Sequence, residues 1–191
     1  HYPLRRQRQM CIRDRHKAGA EGALIYNFYD PILAAEADDK GVGATFTATF
    51  HGDDWGNEGQ KNHSAKATVL ALYDDTVIGR HGIVKDKTIY PGPMALLDLG
   101  GVQVLLVSRR VVGNDPIYAE VLGINLSKVR SIVVKVRSSF PVGFDEFIAS
   151  ENIHFVDTPG RTSPMLKRMP FENLPRPVYP LDSGFDWKNP L

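Results

Sequence analysis

The chain has 191 residues, 42% of them hydrophobic and 24% charged, an ordinary balance for a soluble globular protein with room for one domain and a real core. No apolar run approaches the roughly 20 residues that a membrane-spanning helix requires, which excludes a helical membrane protein. The formal net charge of +1 conceals an uneven distribution.

Residues 1–15, HYPLRRQRQMCIRDR, hold five arginines and one acid, a net of +4, whereas the remainder carries 18 basic and 21 acidic residues, a net of −3. A basic arm can attract nucleic acid or a membrane surface. This one lacks the apolar centre of a signal peptide and shows no helical apolar periodicity. Pro3–Arg15 instead resembles translated sequencing-adapter readthrough. Residues 1–15 are therefore set apart as a non-native N-terminal extension, and with them any expectation of nucleic-acid or membrane binding. Residues 16–182 form the domain, and 183–191 a tail. The only cysteine, Cys11, lies in the extension. Disulfides, thiolate metal sites and cysteine nucleophiles are thereby excluded from the rest.

In chain order, the first element is a short helix opened by Asp30 as N-cap with Pro31 at its first position and closed by Gly41. Ala44–Phe50 alternates, with Ala44, Phe46, Ala48 and Phe50 on one face and Thr45, Thr47 and Thr49 on the other, the pattern of a half-buried strand. His51–Asn62 is polar and glycine-rich, a loop. Ala65–Tyr73 alternates again, Asp74-Asp75 turns, and Thr76–Gly79 and Gly82–Tyr90 read as further strands. Pro91–Pro93 leads to a strand at Ala95–Leu99 and a Gly100-Gly101 turn. Val102–Val107 is an apolar run of the buried-strand type. Asn114-Asp115-Pro116 starts a helix that Gly123 ends. Ile132–Val136 is a short β-branched strand. Phe140, Phe144, Phe147 and Ile148 form one helical stripe. Ile153–Val156 reads as a strand, and Asp157-Thr158-Pro159-Gly160 as a turn. The expectation is an α/β or α+β single domain, a mixed β-sheet with a few short helices.

Four constellations invite a chemical reading. His51, Asp53, Asp54, Glu58 and His63 crowd one loop and include zinc-ligand types, but without a recognised ligand spacing a solvated loop explains them better. Asp157-Thr158-Pro159-Gly160 looks like a GTPase turn, yet no glycine-rich phosphate cradle with its lysine accompanies it. Ser108-Arg109-Arg110 follows the Val102–Val107 strand, and ligands of open α/β sheets gather at such carboxyl ends. Arginine grips carboxylates with two parallel bonds, although an arginine in water is the commoner case. Lys135 interrupts Val133, Val134 and Val136, so its face is solvated or meets an acidic partner. No catalytic motif appears, and the residues describe a domain without a self-contained active site.

An ordered set of short matches adds a family. Gly101-Val102, Ser108-Arg109-Arg110, Asp115-Pro116, Gly123-Ile124, Ile132-Val133-Val134-Lys135, Phe144, Val156-Asp157-Thr158-Pro159-Gly160 and Arg176-Pro177-Val178-Tyr179-Pro180-Leu181-Asp182 resemble the C-terminal domain of the MlrC family. Asp30-Pro31 with Gly41-Val42-Gly43-Ala44 matches an earlier piece, so the likeness spans about His16 to Asp182. Where the family shows Lys-Ser followed by His-Phe, this chain has Lys135-Val136-Arg137-Ser138-Ser139-Phe140, and no catalytic role passes to Ser138 or Ser139.

The resemblance implies a zinc-dependent peptidase acting on small or linearised peptides, including those derived from microcystin, in the cytoplasm. It places the zinc ligands in a preceding N-terminal domain that this chain does not contain, so the frame reads as N-terminally truncated. This chain is then expected to supply no catalytic residue, metal ligand or cofactor. Its partners would be that metallopeptidase domain and a small peptide substrate, with homo-oligomerisation open. Arg109 and Lys135 are the expected substrate contacts. The competing reading is a stand-alone binding or assembly module without catalysis.

Overall fold

A strand made of one unbroken apolar run needs both of its faces covered. Two such runs sit side by side at the centre of this protein. In the computed structural model, which describes residues 6–51, 62–136, 140–156, 166–168 and 171–182, β1 (Ala23–Tyr29) pairs in parallel with β7 (Val102–Val107) on one side and β8 (Ser131–Val133) on the other. Antiparallel pairing continues from β7 to β6 (Met94–Asp98), then β3 (His63–Tyr73), then β2 (Thr45–Phe50). The result is one six-stranded mixed sheet in the order β2-β3-β6-β7-β1-β8, with a separate ribbon of β4 (Val77–Ile78) and β5 (Thr88–Ile89).

Helices cover both faces. Against one lie α1 (Arg6–Lys17) and α2 (Pro31–Lys40), whose Ile12, Leu33, Ala34 and Ala37 bury against Ile25, Phe28, Phe50, Val69, Leu97, Val104 and Leu106. Against the other lie α3 (Ile117–Val121) and α4 (Phe140–Phe144), which pack Tyr118, Ala119 and Phe144 onto Leu24, Tyr26, Leu96 and Leu105. The expectation of a single mixed α/β domain with few short helices therefore holds.

The local signals explain the elements that the sequence makes legible. Asp30 accepts from the Leu33 N–H, Pro31 takes the first helical position, and Gly41, at φ 80°, donates back to Ala37 and Asp38. The threonines of β2 stay on the open face, where the Thr45 hydroxyl meets that of Thr68 at 3.1 Å and the Thr49 hydroxyl meets that of Ser64 at 3.0 Å.

Six features depart from the sequence expectation. β1 is absent from the predicted elements because a strand buried on both faces shows no alternation. The arginine-rich segment is helical from Arg6 to Lys17 without apolar periodicity, with Ile12 anchoring it in the core. Gly82–Tyr90 is not a continuous strand: left-handed backbone at Gly82 (φ 57°) and Asp86 (φ 58°) brackets a 3-10 turn at Gly82–Val84 and leaves only Thr88–Ile89 extended. The strand expected at Ile132–Val136 is Ser131–Val133, and that expected at Ile153–Val156 does not form. The predicted phenylalanine stripe is half helix and half turn, in which Phe147 and Ile148 donate to the Phe144 carbonyl and still pack inward. No helix among the described residues is long and apolar enough to cross a membrane.

Candidate functional site

Three parallel strands finish along one edge of the sheet. β1 runs into Asp30, β7 into Ser108–Arg110, and β8 into Val134–Val136. Open α/β sheets bind ligands at such edges because the loops there are free to carry function while the strands hold them in place.

The two arginines after β7 part company. The Arg109 guanidinium lies 5.0 Å over the ring of Tyr90, and the Arg109 backbone N–H donates to the Pro91 carbonyl at 2.9 Å. That of Arg110 lies 4.8 Å over the ring of Tyr29, the last residue of β1. Since β6 and β1 flank β7, Arg109 leans toward the antiparallel half of the sheet and Arg110 toward the parallel half. Lys135, half-buried two residues beyond β8, shares the edge with both but stands across β1 from them. The predicted contacts Arg109 and Lys135 thus occupy one edge without adjoining strands, and Arg110 is the arginine turned to the lysine's side.

Between them sits a feature that sequence reasoning missed. Along β1, Ile25 stands opposite Val104 but Phe28 opposite Leu106, so two residues face one and the strand bulges. Asn27 occupies the bulge at φ 52° and is 2% exposed. Asparagine is among the few side chains that accept this left-handed backbone readily. A Cβ at Gly113 would lie 3.6 Å from the Asn27 amide nitrogen and 3.5 Å from a Val136 methyl. The loops after β7 and β8 thus meet over the bulge, with Gly113 beside both Asn27 and Val136. An asparagine inside ALIYNFY was the one available signal.

Behind this edge lies a rigid frame. Asp115 is fully buried, and its carboxylate accepts from the N–H groups of Arg80 and His81, both at 2.7 Å, and of Ile117 at 2.9 Å. The Tyr26 hydroxyl donates to the Asp115 carbonyl. Burial pushes the Tyr118 hydroxyl up to about 12 and raises that of Tyr26 well above its ordinary value, so both remain neutral. Arg80 bridges Glu120 and Glu146, fastening the β4–β5 ribbon to α3 and α4.

Asp30 is likewise structural. Both oxygens are engaged, one by the Leu33 N–H at 3.1 Å and the other by the His51 N–H at 2.8 Å. The histidines of the following loop separate: His51 stays with Asp30, while the His63 ring stacks on Phe50 and meets His16 of α1 edge-on at 5.7 Å. Burial, then the charges of His16, Arg13 and Lys17, hold the His63 imidazole below its ordinary value. Asp53, Asp54, Glu58, Ser138, Ser139 and the Asp157–Gly160 turn lie outside the described residues. Among the described residues no three His, Cys, Asp or Glu side chains come together to hold a metal, and that set does not fit a zinc centre. A groove of about 600 Å³ lies at the opposite end of the strands, lined by Gly22, Gly101, Gln103, Asp98 and Lys128 among others, away from the cationic edge.

Residues 7–173 match the sequence profile of the MlrC C-terminus. The chain belongs to that family. The matched span begins within the segment set apart as an extension, so residues 7–15 lie inside both the MlrC profile and α1. The fold is also that of a crystal structure of a “putative metallopeptidase” from Mesorhizobium sp. BNC1, with a TM-score of 0.71 at 22% sequence identity. The likeness covers 94% of this chain but only 35% of the Mesorhizobium chain. No curated protein matches the sequence.

Proposed function

We propose that this domain is the C-terminal, non-metal-binding part of an MlrC-type zinc-dependent peptidase acting in the cytoplasm on small or linearised peptides, microcystin-derived ones included. Zinc would be held by a preceding N-terminal domain, where it would serve as Lewis acid and activate water. The observation that carries the reading for this domain is the cationic edge, with Arg109, Arg110 and Lys135 set around the end of β1 by strands whose order is fixed by pairing. Guanidinium and ammonium groups at a strand-end cleft suit a peptide carboxylate. Holding one end of a substrate can lower the barrier by several kcal/mol without any group of this domain taking part in bond breaking. The name of the Mesorhizobium protein and its greater length support the same reading.

The test uses a full-length MlrC-type protein carrying this domain. Arg109→Ala, Arg110→Ala and Lys135→Ala are expected to raise KM for small linear peptides about tenfold each, which corresponds to roughly 1.4 kcal/mol of lost substrate contact, with zinc content unchanged. The 191-residue chain alone is expected to cleave no peptide in the presence of zinc. Stoichiometric zinc together with cleavage by that chain would sink the proposal.

A further inference from the structure

Exposed apolar side chains are unevenly spread over this domain, and the carboxyl edge holds a concentration of them. Phe155 is 80% exposed, Val156 74% and Val142 56%, with Val112 at 39%. The fold brings these positions to one place. The ring of Phe140, the first residue of α4, meets that of Phe155 edge-on at 6.0 Å. Gly143 lies so close to the Asn114 carbonyl that a Cβ would stand 1.9 Å from its oxygen, while Gly113 adjoins Val136. Val142 and Val112 are the chain neighbours of those two glycines. α4, the loop after β7 and the segment at 153–156 thus come together, each with an exposed apolar side chain, beside the edge that carries Lys135.

Water-exposed phenylalanine and valine at such density are costly in an isolated domain, and contiguous patches of this kind mark interaction sites. The solved relative supplies the size of what could cover it: nearly two-thirds of the Mesorhizobium chain lies outside the region that this domain matches. We propose that the Phe140–Val142, Val112 and Phe155–Val156 patch is the docking face for the preceding N-terminal domain, which seats beside the cationic edge. The substrate cleft then lies between the two domains, with this patch as its apolar floor. This rests on the proposed function for the occupant, and on the exposed residues for the surface. Interfaces between domains of one chain commonly bury about 600–1,500 Å², within reach of a patch with this many large side chains.

Hydroxyl-radical footprinting of a full-length MlrC-type protein carrying this domain tests it. Val42 and Leu70, 63% and 41% exposed toward the opposite end of the strands, serve as internal controls. After correction for intrinsic reactivity, Phe155 and Val142 are expected to label at least fivefold more slowly than Val42 and Leu70, at every protein concentration. Labelling as fast as the controls would overturn the docking face, as would protection that disappears on dilution, which would assign the patch to a second copy. Zinc content and peptide cleavage measured on the same preparation separate the two claims. Protection without cleavage supports the face and removes only the hydrolase reading, whereas cleavage with an unprotected Phe155 removes only the face. The double variant Val142→Asp, Phe155→Asp changes side chains that project from this domain. It is expected to split one melting transition of the full-length protein into two, and a single unshifted transition would count against the proposal.

Discussion

The carboxylate of Asp30 closes two backbone donors at once, capping α2 through Leu33 and holding the start of the next loop through His51. Asp30→Ala leaves both N–H groups without that acceptor in a buried setting, and the expected loss is about 2 kcal/mol, read from the denaturant midpoint. An unchanged midpoint would mean that water replaces the carboxylate at no cost. The cap was legible because Asp-Pro before an apolar run is a local signal; the second bond, 21 residues away, was not. His63 makes a different prediction. Its folded imidazole binds a proton only below the ordinary value of 6.5, because burial and the nearby His16, Arg13 and Lys17 oppose the charge. Above that pH both folded and unfolded forms are neutral and the effect vanishes. As pH falls through 6.5 the unfolded chain takes up the proton first, so stability declines. His63→Gln is expected to flatten the stability–pH curve between about pH 5 and 6.5, and a variant curve parallel to the wild type would show that other groups set it.

Among the elements, those with a one-sided pattern or an apolar run closed off by turn residues were legible, and β1 was not. β2 and β3 alternate because one face meets the core and the other water, and the helix at Pro31–Lys40 carries its own start and stop. β1 carries neither signal, yet it is the strand that joins the two halves of the parallel edge. Its bulge is testable. Left-handed backbone suits glycine, is accepted by asparagine and strains a β-branched residue. Asn27→Val is therefore expected to cost about 2 kcal/mol more than Asn27→Gly, measured by chemical denaturation. Equal costs would show that the side chain, not the backbone, sets the requirement at 27. The run at Ile153–Val156 teaches the converse: apolar and β-branched composition alone does not make a strand, since pairing with a neighbour has to supply the backbone hydrogen bonds.

For the whole molecule, the decisive question is how much of the chain belongs to the packed unit. Ile12 is fully buried among Ile25, Phe28, Leu33 and Val102 although it lies in the arginine-rich segment. Ile12→Ala is expected to cost about 2–4 kcal/mol through lost burial and the cavity left behind, visible as a lower melting temperature. A neutral substitution would detach α1 from the core. Charge composition gave no sign of this contact, because a buried side chain such as Ile12 can dock a helix whatever the charge of its neighbours in the chain. By itself the sequence determined what depends on near neighbours: the caps of α2, the alternation of β2 and β3, the buried run of β7, the exclusion of thiol chemistry outside Cys11, and the ordered matches that placed the chain in the MlrC family. Only the tertiary structure decided that β1 lies between β7 and β8, that Arg110 rather than Arg109 turns toward it, and that Asp115 holds backbone N–H groups from Arg80 and His81. The reason is one of distance along the chain: pairings across 35 residues or more leave no periodic trace in a sequence, and are selected by which buried surfaces and backbone donors can be satisfied together.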